Sequence, residues 1–104
     1  MIEFHFEEST QTLLCRFEGR MDTVMSGTVT EAFNAELNKF KGKTEMLKIV
    51  FNLKGVDYVA SSFLRLSLVA AKSLQKGNFS IINADPQVLK VFKIAGLSSL
   101  LNVS

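Results

Sequence analysis

The feature that most limits what this chain can become is a change of hydrophobic period, made first at Gly19 and repeated downstream. Before Gly19, Ile2, Phe4 and Phe6 alternate with Glu3, His5 and Glu7, and Leu13, Cys15 and Phe17 alternate with Thr12, Arg16 and Glu18. A repeat of two puts successive side chains on opposite faces of a strand, so both segments are predicted to be half-buried strands. Ser9-Thr10-Gln11 between them predicts a hairpin turn, which makes the opening pair antiparallel. After Gly19 the interval lengthens. Val29, Ala32, Phe33, Leu37 and Phe40 recur at helical spacing, with Ser26 or Thr28 as the N-cap and Thr28 with Glu31 as a capping box; Gly42 closes the helix.

The period switches again over Met46 to Leu53, an apolar and β-branched run that predicts a strand buried on at least one face. Gly55 punctuates, and Val56 to Ala60 reads as a short extended piece. A second helix is predicted from Ser61 to Gln75, with Phe63, Leu66, Ala70 and Leu74 on one broad stripe and Arg65, Lys72 and Lys76 opposite. Gly77 stops it, Phe79 to Asn83 forms another strand, and Asp85-Pro86 supplies a cap and a first-turn proline for a third helix that ends at Gly96. The order is strand, strand, helix, strand, helix, strand, helix. Strands separated by helices pair in parallel through crossovers, so the fold class is α/β: a small open mixed β-sheet with helices packed on it.

Composition enters to exclude alternatives. A chain of 104 residues, 47% hydrophobic and 21% charged, suits one domain over residues 1–104 with a real core, and it has no linker, repeat or low-complexity run. Net charge is +2 and the basic residues are scattered, not gathered into a stripe with aromatics, so no nucleic-acid partner is expected. Cys15 is the only cysteine, which forbids an internal disulfide and suits a reducing, cytoplasmic setting. The start Met1-Ile2-Glu3-Phe4-His5 is unlike a signal peptide, and the longest apolar stretch, Leu64 to Ala71, is broken by Arg65 and Ser67, so no membrane insertion is expected.

Chemistry is sparse. His5 lies between acidic neighbours on the polar side of its strand, without partners for base catalysis or metal binding. Cys15 is in phase with Leu13 and Phe17 and reads as a small buried hydrophobe. Asp57 follows Gly55 in a turn, and Asp85 is explained as a helix cap. Phosphate loops, zinc motifs and nucleophile elbows are missing, so the chain reads as a non-enzyme without cofactor or metal. Ser61-Ser62 remains. Serines cap helices, and a phosphate on such a hydroxyl brings about −1.5 to −2 charge to the positive end of a helix dipole. Parallel strand ends gather the Asp22 loop, the Ala60-Ser61-Ser62 turn and the exposed side of the second helix, with Arg65, Val69 and Lys72, into one expected partner-binding surface.

Gly19-Arg20-Met21-Asp22-Thr23, the run from Ile49 to Leu64, Asn83-Ala84-Asp85-Pro86-Gln87-Val88 and Ala95-Gly96-Leu97 together resemble, in order and over nearly the whole chain, the STAS domain of anti-sigma factor antagonists. The resemblance implies a switch. A partner anti-sigma factor acting as a serine kinase phosphorylates Ser61, while the unmodified form binds that partner and frees a sigma factor. Asp22 is then the loop acid beside the phosphoacceptor, and Ser62 the neighbouring hydroxyl. Three positions depart from the family pattern: Ala60 replaces its aspartate, Phe63 its glycine and Asn52 its strand-end aspartate. Phe63 is expected either to meet the partner or, in phase with Leu66 and Ala70, to enter the core. The resemblance also admits a second function, an unphosphorylated STAS-type adaptor subunit of a transporter ATPase or signalling assembly.

Overall fold

The computed structural model describes residues 1–104. In chain order the elements are β1 (Ile2–Glu7), β2 (Thr12–Phe17), β3 (Arg20–Met21), α1 (Thr23–Asn38), β4 (Lys48–Asn52), β5 (Tyr58–Val59), α2 (Ser61–Lys72), β6 (Phe79–Ile82) and α3 (Pro86–Ile94). The alternation at the N-terminus becomes pairing: β1 and β2 run antiparallel, with Phe4 opposite Cys15 and Phe6 opposite Leu13. On the other face Glu3 stands opposite Arg16 and forms an ion pair of 3.1 Å. The main sheet has the order β1-β2-β4-β6, and β2, β4 and β6 are mutually parallel. The mixed sheet expected from the period changes is the one observed.

Register puts Leu13, Cys15 and Phe17 of β2, Ile49 and Phe51 of β4, and Phe79 and Ile81 of β6 on one face. All of them are buried, in one core with Val29 and Phe33 of α1, Phe63, Leu66 and Ala70 of α2, and Val88 and Phe92 of α3. Phe51 is the hub. Its ring meets those of Phe17 at 4.7 Å, Phe79 at 4.9 Å and Phe33 at 5.5 Å, all edge-to-face, the arrangement the ring quadrupole favours. The opposite face carries Glu3, His5, Arg16 and Lys48 into solvent.

Helix boundaries differ from expectation in ways that bear on the site. α1 begins at Thr23, capped by Asp22, whose backbone is extended (φ −75°, ψ −177°) and whose Oδ1 accepts from the Met25 N–H at 2.9 Å. Neither Ser26 nor Thr28 caps the helix. Both lie inside it, and their hydroxyls donate to the carbonyls of Met21 and Val24. A carboxylate one position before the first turn satisfies an N–H that those hydroxyls cannot reach. α1 ends at Asn38, and Gly42 (φ +79°) belongs to the turn beyond it. α3 starts as expected, with Asp85 as cap and Pro86 in its first turn.

Candidate functional site: two helix starts on one parallel strand pair

β3 and β5 form a small parallel pair apart from the main sheet, with Arg20 beside Tyr58 and Met21 beside Val59. Two glycines with positive φ, Gly19 (+98°) and Gly55 (+93°), let the chain turn into this pair, and the Gly19 N–H donates to the Gly55 carbonyl at 3.1 Å. Each strand feeds a helix at once. β3 leads through Asp22 into α1, and β5 leads through Ala60 into α2, while the Ala60 N–H donates to the Met21 carbonyl at 2.8 Å. The two helix starts are thereby pinned side by side. The Arg20 guanidinium lies over the Tyr58 ring, 3.9 Å from its centroid, a cation–π contact on the outer side of the pair.

The two starts are chemically unequal. α1 has the Asp22 carboxylate on its first turn, whereas α2 has Ala60 as N-cap (φ −86°, ψ 166°) and no side-chain cap. Ser61 therefore corrects the expectation that it caps: it is the first helical residue, exposed, and the cap position before it is an alanine without an oxygen to offer. Ser62 is half-buried, and its hydroxyl is sealed from solvent without a hydrogen-bond partner, an arrangement that costs about 1–3 kcal/mol.

Of the other expected contact residues, Arg65, Val69 and Lys72 are exposed along α2, Val69 at 51%. Ala60 and Asp22 are half-buried. Phe63 leaves the set of surface contacts. Its side chain is 0% exposed, and its ring packs against Phe17 at 5.1 Å and Phe51 at 6.2 Å, because the helical stripe it shares with Leu66 and Ala70 faces the sheet. Asn52 ties the ends of β4 and β6 together, since its Oδ1 accepts from the Lys54 N–H and from Asn83 Nδ2, both at 3.1 Å. An aspartate oxygen could accept the same two bonds, so this departure from the family pattern leaves the strand ends as they are.

A groove of about 370 Å³ runs between α1 and α2, away from the strand ends. Thr23, Ser26, Gly27, Thr30 and Asn34 line one side, and Ser62, Arg65, Leu66 and Val69 the other. The α1 wall was hidden in the sequence because the periodic apolar residues begin only at Val29. Its one signal was a glycine, Gly27, in what proves to be a helix interior. His5 is exposed on the far face of the sheet, 3.8 Å from Glu7, and the Cys15 thiol is buried, its pKa pushed up first by loss of solvent and then by the Glu36 carboxylate. Neither is near the helix starts.

These features define a class: a small α/β protein with a one-sided mixed sheet that presents two helix starts together from an accessory parallel strand pair. The chain belongs to the STAS domain family, whose model matches residues 3–104. It is 30% identical over 95 residues, 86% of this chain and 81% of the relative, to BtrV of Bordetella bronchiseptica, which is named an anti-sigma factor antagonist. An anti-sigma-factor-antagonist (STAS) domain protein from Planctomyces limnophilus has the same fold, with a TM-score of 0.82, 19% identity, and 99% of this chain and 87% of that one covered. The anti-sigma factor antagonist SpoIIAA in its unphosphorylated form gives a TM-score of 0.76 at 19% identity, covering 100% and 88%. The Bacillus SpoIIAA structure in the phosphorylated form gives 0.69 at 20% identity, covering 100% and 91%. This chain is an STAS domain of the anti-sigma factor antagonist type. No helix in it is long and apolar enough to cross a membrane.

Proposed function

We propose that this protein is a cytoplasmic, single-domain antagonist that binds an anti-sigma factor through the surface around Asp22, Ser61 and the exposed side of α2, without catalytic turnover, and that phosphorylation of Ser61 breaks the complex. The observation that carries the reading is the position of Ser61: exposed, first in α2, and beside a helix start already occupied by the Asp22 carboxylate. The name of the Bordetella relative, and the existence of SpoIIAA in both phosphorylation states, support it. In the modification, Ser61 Oγ attacks the γ-phosphorus of ATP, the bond to ADP breaks, and the serine proton leaves to solvent or a kinase base. The product carries about −1.5 to −2 charge where the partner must approach.

The experiment uses the serine-kinase-type anti-sigma factors of the source organism, purified singly. With Mg-ATP, one of them should add a single phosphate, seen by intact-mass spectrometry and abolished in Ser61→Ala. By calorimetry without ATP, Ser61→Ala should bind as wild type does, and it should fold with stability unchanged within about 0.5 kcal/mol, since its hydroxyl caps nothing. Ser61→Asp places an unpaired carboxylate in the interface, a loss of about 2–5 kcal/mol or at least about thirtyfold in affinity. Equal affinities for all three proteins would remove Ser61 from the interface. Tight binding with no phosphate added would favour the adaptor function, in which the same face works unmodified.

A further inference from the structure

We infer that the groove between α1 and α2 is the specificity-determining part of this surface, and that it receives a segment of the anti-sigma partner carrying a carboxylate next to an apolar side chain. The inference rests on the antagonist reading and deepens it.

Gly27 is the first observation. It sits inside α1 with no positive φ, and a Cβ built on it meets nothing within 4 Å. Glycine weakens a helix interior relative to alanine. Nothing inside the protein requires one here: no turn, no left-handed conformation, no close internal neighbour. A glycine without internal cause, on the wall of an open groove, fits a partner backbone that approaches too closely for a methyl group.

Arg65 is the second. It lines the groove opposite Gly27, is exposed, and its guanidinium makes no ion pair within the chain. No carboxylate lines the groove, and the charged residues of α2, Arg65 and Lys72, are both basic. Glu31, on the adjacent stretch of α1, stands outside it. Charge complementarity therefore asks for an acidic occupant, and a guanidinium fork matches a carboxylate in two parallel hydrogen bonds. The third observation is apolar exposure at the same place: Val69 is 51% exposed on the groove wall. A segment with an apolar residue against Val69 and an acid on Arg65 fills the groove.

The test titrates the same purified anti-sigma factors against Gly27→Ala, Arg65→Glu and wild type, with thermal melting of each. Gly27→Ala should raise the melting temperature by about 2–8 °C and weaken binding tenfold or more. Arg65→Glu should melt within a few degrees of wild type and lose at least thirtyfold in affinity, restored when the paired partner acid is changed to lysine. If both variants bind within twofold of wild type while Ser61→Asp does not, the groove assignment falls and the antagonist reading stands. If wild type binds none of these factors, both fall. A melting temperature lowered by Gly27→Ala would show that the fold itself needs this glycine. A concentration-dependent dimer that both variants weaken would put a second copy of the chain in the groove, and either result overturns the assignment.

Discussion

Phe63 occupies the first turn of α2, yet its ring lies wholly inside, in contact with Phe17 and Phe51. Removing such a ring costs lost transfer free energy plus the cavity left behind, about 3–5 kcal/mol for alanine, and glycine in a helix adds about 1 kcal/mol. Phe63→Gly, which restores the residue usual in the family, should therefore destabilise by about 4–6 kcal/mol, a large part of the roughly 5–15 kcal/mol that holds a domain together. Urea titration measures it. A loss under about 1 kcal/mol would mean that the surrounding core closes over the gap and that the ring is dispensable. Ser61, two residues earlier, is the contrasting case: it is exposed and lies outside the core.

Among the elements, the three helices start in two ways. Asp22 and Asp85 accept N–H groups of α1 and α3 at 2.9 Å, while α2 begins after Ala60 with no side-chain acceptor. The Ala60 backbone already has the extended conformation of a capping residue, so an aspartate there needs no rearrangement of the chain. Ala60→Asp should stabilise by about 1 kcal/mol, with a further contribution from the helix dipole, and raise the melting temperature by about 4–8 °C. An unchanged or lowered melting temperature would show that Asp22, at the neighbouring start, repels the new carboxylate by more than the cap contributes. The β3–β5 pair is the element that sets this arrangement, because two residues of parallel pairing bring Asp22 and Ala60 to the same place.

For the molecule as a whole, the buried Cys15 thiol links stability to pH. Its pKa in the fold lies above the ordinary thiol range, because burial, and secondarily Glu36, disfavour the thiolate. In the unfolded chain the thiol ionises at its ordinary value of about 8.5, so above that pH the unfolded state binds fewer protons than the native one. This contribution is fully present below about pH 8.5 and is lost as pH rises toward the folded pKa, at about 1.4 kcal/mol per pH unit. Denaturation curves at a series of pH values should show wild type losing stability above pH 8.5 more steeply than Cys15→Ala; parallel profiles would mean that the thiol is not held neutral by the fold. The same burial should make Cys15 slow to react with thiol reagents until the protein unfolds.

What the sequence determined by itself was the order and type of the main-sheet strands and of the three helices, because periods of two and of 3.6 are local properties of the chain; β3, two residues long, is too short to show a period and is not legible in the sequence. The alternation through Ile2–Phe6 and Leu13–Phe17, the stripe from Phe63 to Ala70 and the Asp85-Pro86 start all describe which face of one element avoids water. The order of strands and helices pointed to the turns at Asp22 and Ser61, and resemblance added the roles expected of them, loop acid and phosphoacceptor. Tertiary structure alone decided what each side chain at that surface is free to do. Asp22 and not Ser26 or Thr28 caps α1, since a cap depends on which oxygen reaches an unpaired N–H in three dimensions. Phe63 turns inward because α2 lies on the sheet, and Ala60 leaves α2 uncapped. Gly27 acquires meaning only when α2 is set against α1, where a missing methyl group becomes part of a groove wall. Period encodes the face an element buries; which faces and ends come together depends on pairings between residues far apart in the chain, such as Met21 with Val59.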